Sequence, residues 1–329
     1  YTKRQVTEDR IYRNDNGKFI DITLSSGLDK EVAGGYGLGI AVGDLNNDSY
    51  PDIYVSNDYN SPDRMYINQQ DGTFKNETKE RTTHVALYSM GNDIADINND
   101  GHLDVIALDM SAEDHVRIKT QMGAMAPEKF YELVRFGFPL QYMYNTLQLN
   151  NGNGTFSDIA QLAGINSTDW SWAPLMADFD NDGEKDIFIS NGYRLDDRDN
   201  DYNNSADKLY GKRNRLTKEE RRSVFDGTPS TPLSNYMYKN NGDLTFSKKT
   251  FEWNLGEKSF SMGSAFADLD NDGDLELITN NLEAEAFVYK NNAVEKLGNN
   301  FLRVNLAGNK TPLEQSKVVI TTNGKSQTQ

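Results

Sequence analysis

The feature that most constrains this chain is a nine-residue acidic pattern that occurs four times without gaps. The copies are Asp44–Asp52, Asp96–Asp104, Asp178–Asp186 and Asp268–Glu276, here called loops one to four, with positions numbered 1 to 9. An aromatic residue and several small residues precede each loop, and a β-prone run such as Ile53–Val55 follows it. Self-similarity of this kind indicates a repeat fold in which each unit packs against its neighbours.

A second pattern recurs between the loops. It consists of an apolar strand, an Asn-Gly or Asp-Gly turn and a Phe, and it includes Asn16–Phe19, Asp71–Phe74, Asn153–Phe156 and Asn241–Phe246. Such turns between apolar runs predict β-hairpins, because a type I′ turn requires positive φ at both central residues. A fifth apolar strand, Phe287–Tyr289, runs into two Asn residues and lacks the Phe.

The spacing of the repeats predicts the fold class. The loops begin 52, 82 and 90 residues apart, and two sequence-distinct, partly helical inserts at about 111–146 and 194–235 account for the longer intervals. A unit of about 50 residues with about four short strands has the size of a propeller blade. We therefore predict an all-β protein, a β-propeller of four-stranded blades, whose two inserts gather at one rim. A stacked β-roll with calcium turns is the alternative, although its units are far shorter.

The acidic loops have the spacing of a calcium site. Oxygen-bearing side chains stand at positions 1, 3, 5 and 9, and position 7 offers its backbone carbonyl, as in the first part of an EF-hand loop. Ser49 replaces the Gly of position 6 in loop one, and Glu276 is longer than the Asp found at position 9 elsewhere. The predicted ligands of about four Ca²⁺ ions are Asp44, Asn46, Asp48, Tyr50, Asp52; Asp96, Asn98, Asp100, His102, Asp104; Asp178, Asp180, Asp182, Glu184, Asp186; and Asp268, Asp270, Asp272, Asp274, Glu276.

Charge supports a cation and excludes other partners. The chain has 50 Asp and Glu against 34 Lys and Arg, a net charge of −16, and no Cys. This balance repels nucleic-acid phosphates, and the longest apolar run is far shorter than the ~20 residues of a membrane span. Two alternatives stay open for the loops: solvated Asx-turns without metal, and Mg²⁺, which prefers fewer protein ligands.

The loop pattern, Asp-x-Asn/Asp-x-Asp-Gly-x-x-Asp before an apolar strand, resembles the FG-GAP/VCBS repeat of integrin-α-type β-propellers. The resemblance implies calcium ligation by the positions named above and, in the whole protein, seven blades, of which four loops would be a part. The segment Gly298–Leu306 resembles bacterial surface proteins in which such repeats precede an ASPIC/UnbV module. This implies a propeller domain over 1–297 and the start of a second β module over 298–329.

Evidence for catalysis is weak. The three histidines, His84, His102 and His115, lack zinc-ligand spacing, and no Gly-x-Ser-x-Gly elbow occurs. A glycosidase-type pair of acids stays open, because the chain is rich in carboxylates. Trp170 and Trp172 fit a sugar-binding platform or, more simply, packing within a blade. The segment Asp196–Asn204 fits a solvated loop or a further cation contact.

The function predicted from the sequence is that of a calcium-stabilised, non-enzymatic scaffold that binds a protein or glycan through its insert loops. The Met- and aromatic-rich first insert, with Met122, Met125 and Met143, suits an adaptable protein contact or packs on its own blade. Modest calcium sites predict an extracellular location or a bacterial outer surface. Two alternatives are a carbohydrate-active enzyme or accessory module and, by resemblance, a surface lipoprotein of an outer-membrane nutrient-import complex.

Overall fold

A computed structural model describes residues 9–28, 35–59, 61–121, 127–211, 216–307, 317–322 and 325–328. The strands are β1 (Tyr12–Asp15), β2 (Lys18–Asp21), β3 (Gly37–Gly43), β4 (Asp52–Asn57), β5 (Arg64–Asn68), β6 (Phe74–Asn76), β7 (His84–Ala86), β8 (Asn92–Ala95), β9 (Asp104–Ala107), β10 (Leu140–Tyr142), β11 (Thr146–Asn150), β12 (Phe156–Asp158), β13 (Ser171–Ala177), β14 (Asp186–Asn191), β15 (Leu233–Ser234), β16 (Tyr236–Asn240), β17 (Phe246–Lys248), β18 (Lys258–Ser259), β19 (Ser261–Ala267), β20 (Glu276–Asn281), β21 (Phe287–Tyr289), β22 (Val319–Thr322) and β23 (Lys325–Thr328). The helices are α1 (Thr78–Arg81), α2 (His115–Gln121), α3 (Pro127–Arg135), α4 (Ala160–Ala163), α5 (Asn200–Tyr210), α6 (Lys218–Gly227) and α7 (Ala293–Leu297).

Most strands belong to four antiparallel sheets, here called blades one to four. Their strand orders are β3-β4-β5-β6, β8-β9-β11-β12, β13-β14-β16-β17 and, with three strands, β19-β20-β21. Each acidic loop joins the first strand of a blade to the second, so all four loops lie at one end of the blades. The structure is mostly β: the prediction of an all-β fold holds for the blades, and the described helices α1–α7 lie outside their sheets.

The first strands β3, β8, β13 and β19 lie side by side in that order and form the inner wall of an arc. Within the described ranges the sheets form no closed ring. The number of blades in a complete propeller therefore stays a prediction.

The hairpin that ends each full blade has one fixed register. The Phe after the turn pairs with the Asn that ends the third strand, and the pairs are Asn68 with Phe74, Asn150 with Phe156 and Asn240 with Phe246. Glycine supplies the positive φ of the turn at Gly72 (85°) and Gly154 (87°). The predicted hairpins are confirmed, but the predicted type I′ turn is not found in blades one to three, because Asp71, Asn153 and Asn241 do not have positive φ.

The hydrophobic core lies between blades rather than within them. One buried cluster joins Tyr54 and Met65 of blade one to Ala107 and Phe156 of blade two. Two further clusters fill the next interfaces, between blades two and three and between blades three and four. A single twisted sheet has no interior of its own, so each blade depends on its neighbour for burial.

The two inserts lie outside the blade sheets, at the end opposite the acidic loops, because each follows the second strand of its blade. They meet where Arg117 of α2 donates to Asp169 and Asp196, at 2.5 and 3.2 Å. The only insert strands in the described part of the chain, β10 and β15, pair with β7 and β18 rather than with a blade. Met122 and Met125 fall outside the described residues.

The C-terminal segment passes over the loop end of the blades. Asn299 donates to the Asp180 carbonyl, Arg303 pairs with Asp268 at 2.7 Å, and Lys317 donates to the Gly101 carbonyl at 2.6 Å. Beyond these contacts β22 and β23 pair antiparallel. That this segment begins an ASPIC/UnbV-like module stays a prediction. None of the described helices combines the length and apolarity needed to cross a lipid bilayer.

Candidate metal centre

Loops one to three share the same hydrogen bonds around position 1. In loop one, the two Asp44 carboxylate oxygens accept the backbone N–H groups of Asp48 and Ser49 at 3.0 and 2.8 Å. Asp96 and Asp178 accept the corresponding amides of their own loops in the same way. These bonds fold each loop back on itself and fix the carboxylate. A carboxylate oxygen has two lone-pair sites, so one N–H bond leaves a site for a cation.

Position 9 is buried and tied into the sheet. One oxygen of each acid accepts the amide of position 2, and the other accepts the amide of the Asn that follows or ends the third strand. The acids are Asp52, Asp104, Asp186 and Glu276, and the eight bonds measure 2.8–3.2 Å. A single side chain thus joins the loop, the second strand and the third strand of its blade.

Burial disfavours the ionised form of these acids. It raises the pKa of Asp52 to about 6, of Asp104 to about 7 and of Asp186 to about 8, and nearby acids of the same loop raise these values further. Burial similarly raises the pKa of Asp178 to about 6. A carboxylate removed from water needs a compensating positive charge. The loops therefore present negative charge that a bound cation would stabilise.

Loops three and four bring three predicted ligands together. The carboxylates at positions 1, 3 and 9 have oxygens that all lie within 4.8 Å of one another; they are Asp178, Asp180 and Asp186 in loop three and Asp268, Asp270 and Glu276 in loop four. The acids at position 5, Asp182 and Asp272, are not part of these groups. Loops one and two carry Asn46 and Asn98 at position 3, so an amide oxygen replaces the third carboxylate there.

A lysine stands at the two loops that have the extra acid. Lys239 contacts Asp180 and Asp182 of loop three, and Lys290 lies 2.5 Å from Asp270 of loop four. Burial acts to lower the pKa of Lys239, but the bonds to the two acids outweigh it and raise that pKa. Loops one and two have Ile67 and Leu149 in the equivalent places. The sequence analysis missed this pairing of an added acid with an added lysine.

The sharp turn of each loop requires left-handed backbone. Position 4 is Asn in every loop, with φ between 55° and 64°, and Asn tolerates this region better than most residues. Position 6 has φ of 88–96° at its three glycines and 71° at Ser49. The expected strain at Ser49 therefore has a structural basis, since a side chain at this φ is disfavoured.

Neighbouring loops are connected through positions 4 and 7. The side-chain amide of Asn99 donates to the Gly183 carbonyl at 2.9 Å and to Glu184 at 3.0 Å. Asn47 makes the equivalent contacts with Gly101 and His102, and Asn181 with Gly273 and Asp274. We expected position 7 to act only through its carbonyl. Its side chain instead forms a hydrogen bond with the Asn at position 4 of the preceding loop.

The Asn at the end of the third strand connects blades a second time. The Asn150 side chain donates to the Leu45 carbonyl of blade one and to the Leu103 carbonyl of its own loop, at 2.9 and 3.1 Å. Asn240 and Asn291 repeat both bonds one blade further on. An Asn before every hairpin turn was the sequence signal for these contacts.

The aromatic residues singled out in the sequence lie at the insert end. The Trp170 ring stacks on Tyr193 with centroids 3.9 Å apart, and the Arg198 guanidinium lies 4.9 Å from the Trp170 ring and 5.3 Å from the Tyr88 ring. Trp172 donates its indole N–H to the Gly192 carbonyl. Trp172 therefore supports blade three, while Trp170 belongs to a mixed aromatic and arginine cluster.

A family model for the FG-GAP-like repeat matches residues 44–107, 136–189 and 224–279, which together make up more than half of the chain. The chain belongs to the FG-GAP-like repeat family. Each matched segment contains one of loops one, three and four, and the first also contains loop two. The resemblance drawn from the nine-residue pattern is thus confirmed for the repeats, and the ASPIC/UnbV module is not part of the match.

Curated relatives of this FG-GAP-like repeat chain include cartilage acidic protein 1 of Mus musculus and of Homo sapiens. Each is 25% identical over 289 residues, which is 86% of this chain and 34% of the relative. The Xenopus tropicalis protein of the same name is 25% identical over 172 residues, 52% of this chain and 22% of the relative. The chain thus spans about a third of the length of the first two relatives.

Among solved structures, the chain is similar to one from a study of specific recognition of non-reducing terminal N-acetylglucosamine by an Agrocybe aegerita lectin. The TM-score is 0.42 at 14% identity, over 98% of this chain and 68% of that one. A TM-score this low describes a loose overlap, so neither the detailed fold nor a ligand follows from it.

Proposed function

We propose that this chain is a calcium-stabilised, extracellular repeat module that binds a partner and catalyses no reaction. The observation that carries the proposal is the pair of three-carboxylate groups in loops three and four, each with oxygens within 4.8 Å. The buried acids of position 9 add weight, because burial and neighbouring acids raise their pKa values, and a bound cation would offset the cost of their charged form. Family membership supports the same role for the four loops.

The donor set favours Ca²⁺. The predicted ligand atoms are oxygens of carboxylates, amides and backbone carbonyls, which suit a hard cation. His102 is expected to contribute only its carbonyl, and the chain has no Cys. A loop that supplies five ligands suits Ca²⁺ better than Mg²⁺, which keeps several of its waters. Calcium outside cells reaches the concentrations at which modest sites of this kind fill.

The role proposed for the metal is structural. Every loop lies between the first and second strands of its blade, and its position-9 acid also bonds next to the third strand. A cation at this place would hold the loop in the shape that contacts the neighbouring loop through Asn99 or its equivalents. Five protein ligands leave little room for a substrate atom, whereas a catalytic metal keeps an open position.

The insert end is the face proposed to bind a protein or glycan partner. Tyr36 and Tyr59 are 40% and 53% exposed there, with rings 4.9 Å apart, and the Trp170–Tyr193 stack with Arg198 lies at the same end. Flat rings beside a guanidinium suit sugar faces and peptide side chains alike. A relative named for cartilage and for acidity is in keeping with an extracellular, acidic module.

Calcium removal tests whether a bound metal ion stabilises the fold. We expect a chelator to lower the melting temperature and Ca²⁺ to restore it, since a ligand of the native state adds about 2.7 kcal/mol at a hundredfold excess over Kd. Elemental analysis should find one Ca²⁺ ion fewer in Asp186→Asn, and Ca²⁺ should raise the melting temperature of this variant less than that of the wild type. Asp243→Asn, at an exposed hairpin turn, is the matched control and should behave as the wild type. An unchanged melting temperature on chelation would return the loops to the solvated-turn interpretation.

A binding screen tests the insert end. A glycan array and an array of extended peptides, probed with calcium-loaded protein, should give ligands whose binding weakens in Tyr59→Ala. Tyr12→Ala, on the exposed N-terminal hairpin, serves as the control because Tyr12 is 47% exposed and outside the cluster. Ligands that bind both variants as tightly as the wild type would place the contact elsewhere on the molecule.

A further inference from the structure

A cavity of about 290 Å³ lies between blades three and four. Its apolar wall includes Met237 of blade three, Leu255 from the segment after that blade, Leu275 of loop four, Leu277 and Tyr289 of blade four, and Leu297 of α7. The Tyr289 hydroxyl is buried and has no hydrogen-bond partner among the described residues. A buried hydroxyl in this state costs free energy until a partner reaches it.

The other blade interfaces identify what normally fills this position. Phe156, in the fourth strand of blade two, is buried in the cluster between blades one and two. Phe246, in the fourth strand of blade three, packs against the cluster between blades two and three. By the same rule, a fourth-strand Phe of blade four would enter the interface between blades three and four, where the cavity lies.

Among the described residues, blade four has neither that strand nor that ring. The residue six positions after Asn291, where the other blades have Phe, is Leu297. It belongs to the short helix α7 and is 59% exposed. Within the described part of the chain, β21 pairs with β20 alone. The sheet thus ends one strand early, beside an apolar cavity.

The free edge of β21 is the one that a fourth strand uses elsewhere. In blade three, the Met237 amide donates to Thr250 Oγ1 at 3.0 Å, and its carbonyl accepts the Lys249 amide at 2.8 Å. Met65 of blade one makes the same two bonds with Thr78 and Glu77. Val288 occupies the equivalent place in β21, is 63% exposed, and makes neither bond with any described residue.

We infer that blade four is a strand-accepting site for an extended peptide segment of a partner protein. The segment adds antiparallel to β21, in the register of the other blades, and places an aromatic side chain opposite Asn291 and into the cavity. Pairing of main-chain groups along a sheet edge provides affinity, and the cavity selects the aromatic residue. The site lies away from the insert end but borders loops three and four, because Asp180 and Leu275 also line the cavity. Peptide binding and calcium binding are measured separately, so either proposal can fail without the other.

A peptide taken from the chain itself is a suitable probe. Residues 243–250, Asp-Leu-Thr-Phe-Ser-Lys-Lys-Thr, contain the fourth strand of blade three, β17, and carry the ring in the correct register. We expect saturable binding to the whole chain in calorimetry or fluorescence anisotropy. The same peptide with Phe246→Ala has equal charge and should bind at least about tenfold more weakly, because it buries no ring.

Two variants of the protein locate the site. Val288→Pro removes the outward N–H from an edge position where Pro is tolerated, and it should abolish binding with little loss of stability. Leu275→Trp fills the cavity and should also block the peptide, whereas Leu162→Trp, at an exposed position on α4, should bind as the wild type. Circular dichroism establishes that each variant is folded. If Leu275→Trp does not fold, Val288→Pro decides.

Three results would overturn the inference. They are no saturable binding at millimolar peptide, equal binding of the Phe246→Ala peptide, and undiminished binding by folded Val288→Pro. The last result would also be obtained if the peptide replaced β17 in blade three, because the substitution Val288→Pro does not change that blade.

Discussion

At the scale of single residues, the Asn beside each hairpin turn explains how one blade is fixed to the next. Asn150 uses its backbone amide for the buried acid Asp104 and its side chain for carbonyls of two different loops. All of these groups are buried, so each bond lost leaves a polar atom without water or a partner. The side chain is small, yet it holds together two loops that are about 50 residues apart in sequence.

Replacement of Asn150 tests this contact. Asn150→Ala should lower the free energy of unfolding by roughly 1–3 kcal/mol, because the Leu45 and Leu103 carbonyls lose their donor. Asn151→Ala, at the exposed neighbouring turn position, should cost much less. Urea unfolding monitored by tryptophan fluorescence measures both. Equal effects of the two substitutions would mean that the bond between blades contributes little.

Asp63 is a buried acid far from the loops, and it gives the protein a pH dependence of its own. It accepts the Asn57 amide, the Tyr54 hydroxyl and the Ser89 hydroxyl at 2.8–3.0 Å. Burial nevertheless raises its pKa from 3.8 to about 7. The folded state therefore holds this proton more tightly than the unfolded state does. The contribution to stability is full below pH 4 and is lost as the pH rises to about 7.

We expect Asp63→Asn to remove the part of the pH dependence of the unfolding free energy that Asp63 causes. In calcium-free protein, the free energy of unfolding of the wild type should fall between pH 5 and pH 7 by up to about 1.4 kcal/mol per pH unit from this group. The amide that replaces the carboxyl group does not titrate, so the variant should fall less over the same range. Urea midpoints at several pH values measure the difference. Parallel curves for the two proteins would show that Asp63 keeps an ordinary pKa.

The predicted ligands and the contacts between blades differ in how much sequence could say about them. The acids of each loop lie within nine residues, so their order predicts that they meet, but it did not show that Asp182 and Asp272 at position 5 stand outside the carboxylate groups of loops three and four. Asn99 and Asn150 act across blades, so their partners depend on how the sheets pack. The repeat did contain a signal, since the same Asn recurs at each place. A recurring Asn in a turn, however, is already explained by its tolerance of left-handed backbone.

At the scale of elements, the balance between acid and lysine distinguishes two kinds of loop. Loops three and four have an extra Asp at position 3, and each has a lysine on the third strand that reaches it. Loops one and two have an Asn at position 3 and apolar residues, Ile67 and Leu149, in place of the lysine. Each lysine thus offsets the extra acid of its loop, and Lys185 near Asp178 and Arg303 beside Asp268 reduce the negative charge of loops three and four further.

Lys239→Gln tests whether the lysine competes with a cation bound in loop three. Without the competing ammonium group, loop three should bind Ca²⁺ about two- to fivefold more tightly, which corresponds to the roughly 0.5–1 kcal/mol of a partly exposed ion pair. The calcium-free protein should melt at a lower temperature, since Asp180 and Asp182 lose the lysine that pairs with both of them. Lys75→Gln, which pairs with Glu77 away from the loops, is the control. Weaker Ca²⁺ binding by Lys239→Gln would mean that the lysine positions the ligands instead.

Local elements followed from sequence wherever the signal was short-range. The hairpins that contain Gly72 and Gly154 formed as predicted. The parallel pair of β7 and β10 was not foreseen, because it joins the segment after blade one to the end of the first insert. Its strands are three residues long, so hydrophobic alternation gives too little signal to find them.

At the scale of the whole molecule, the arc of blades has its core at the interfaces, and this limits how the protein can unfold. Ile187 of blade three is fully buried in a cluster with Ile106 and Leu147 of blade two. Blade two therefore loses its apolar cover if blade three opens. Bonds from Asn99 to loop three and from Asn240 to loop two add polar coupling at the same interface.

Ile187→Ala should accordingly weaken two blades rather than one. Removal of a buried Ile side chain costs about 2–5 kcal/mol, because the cavity it leaves is only partly refilled. Hydrogen exchange should speed up in β9 and β11 of blade two as well as in β14 and β16 of blade three. Ile40→Ala is the matched control, since Ile40 is 68% exposed and should change exchange little. Faster exchange confined to β14 and β16 would mean that a blade can open alone, and the interface would then be a contact between independent units instead of a shared core.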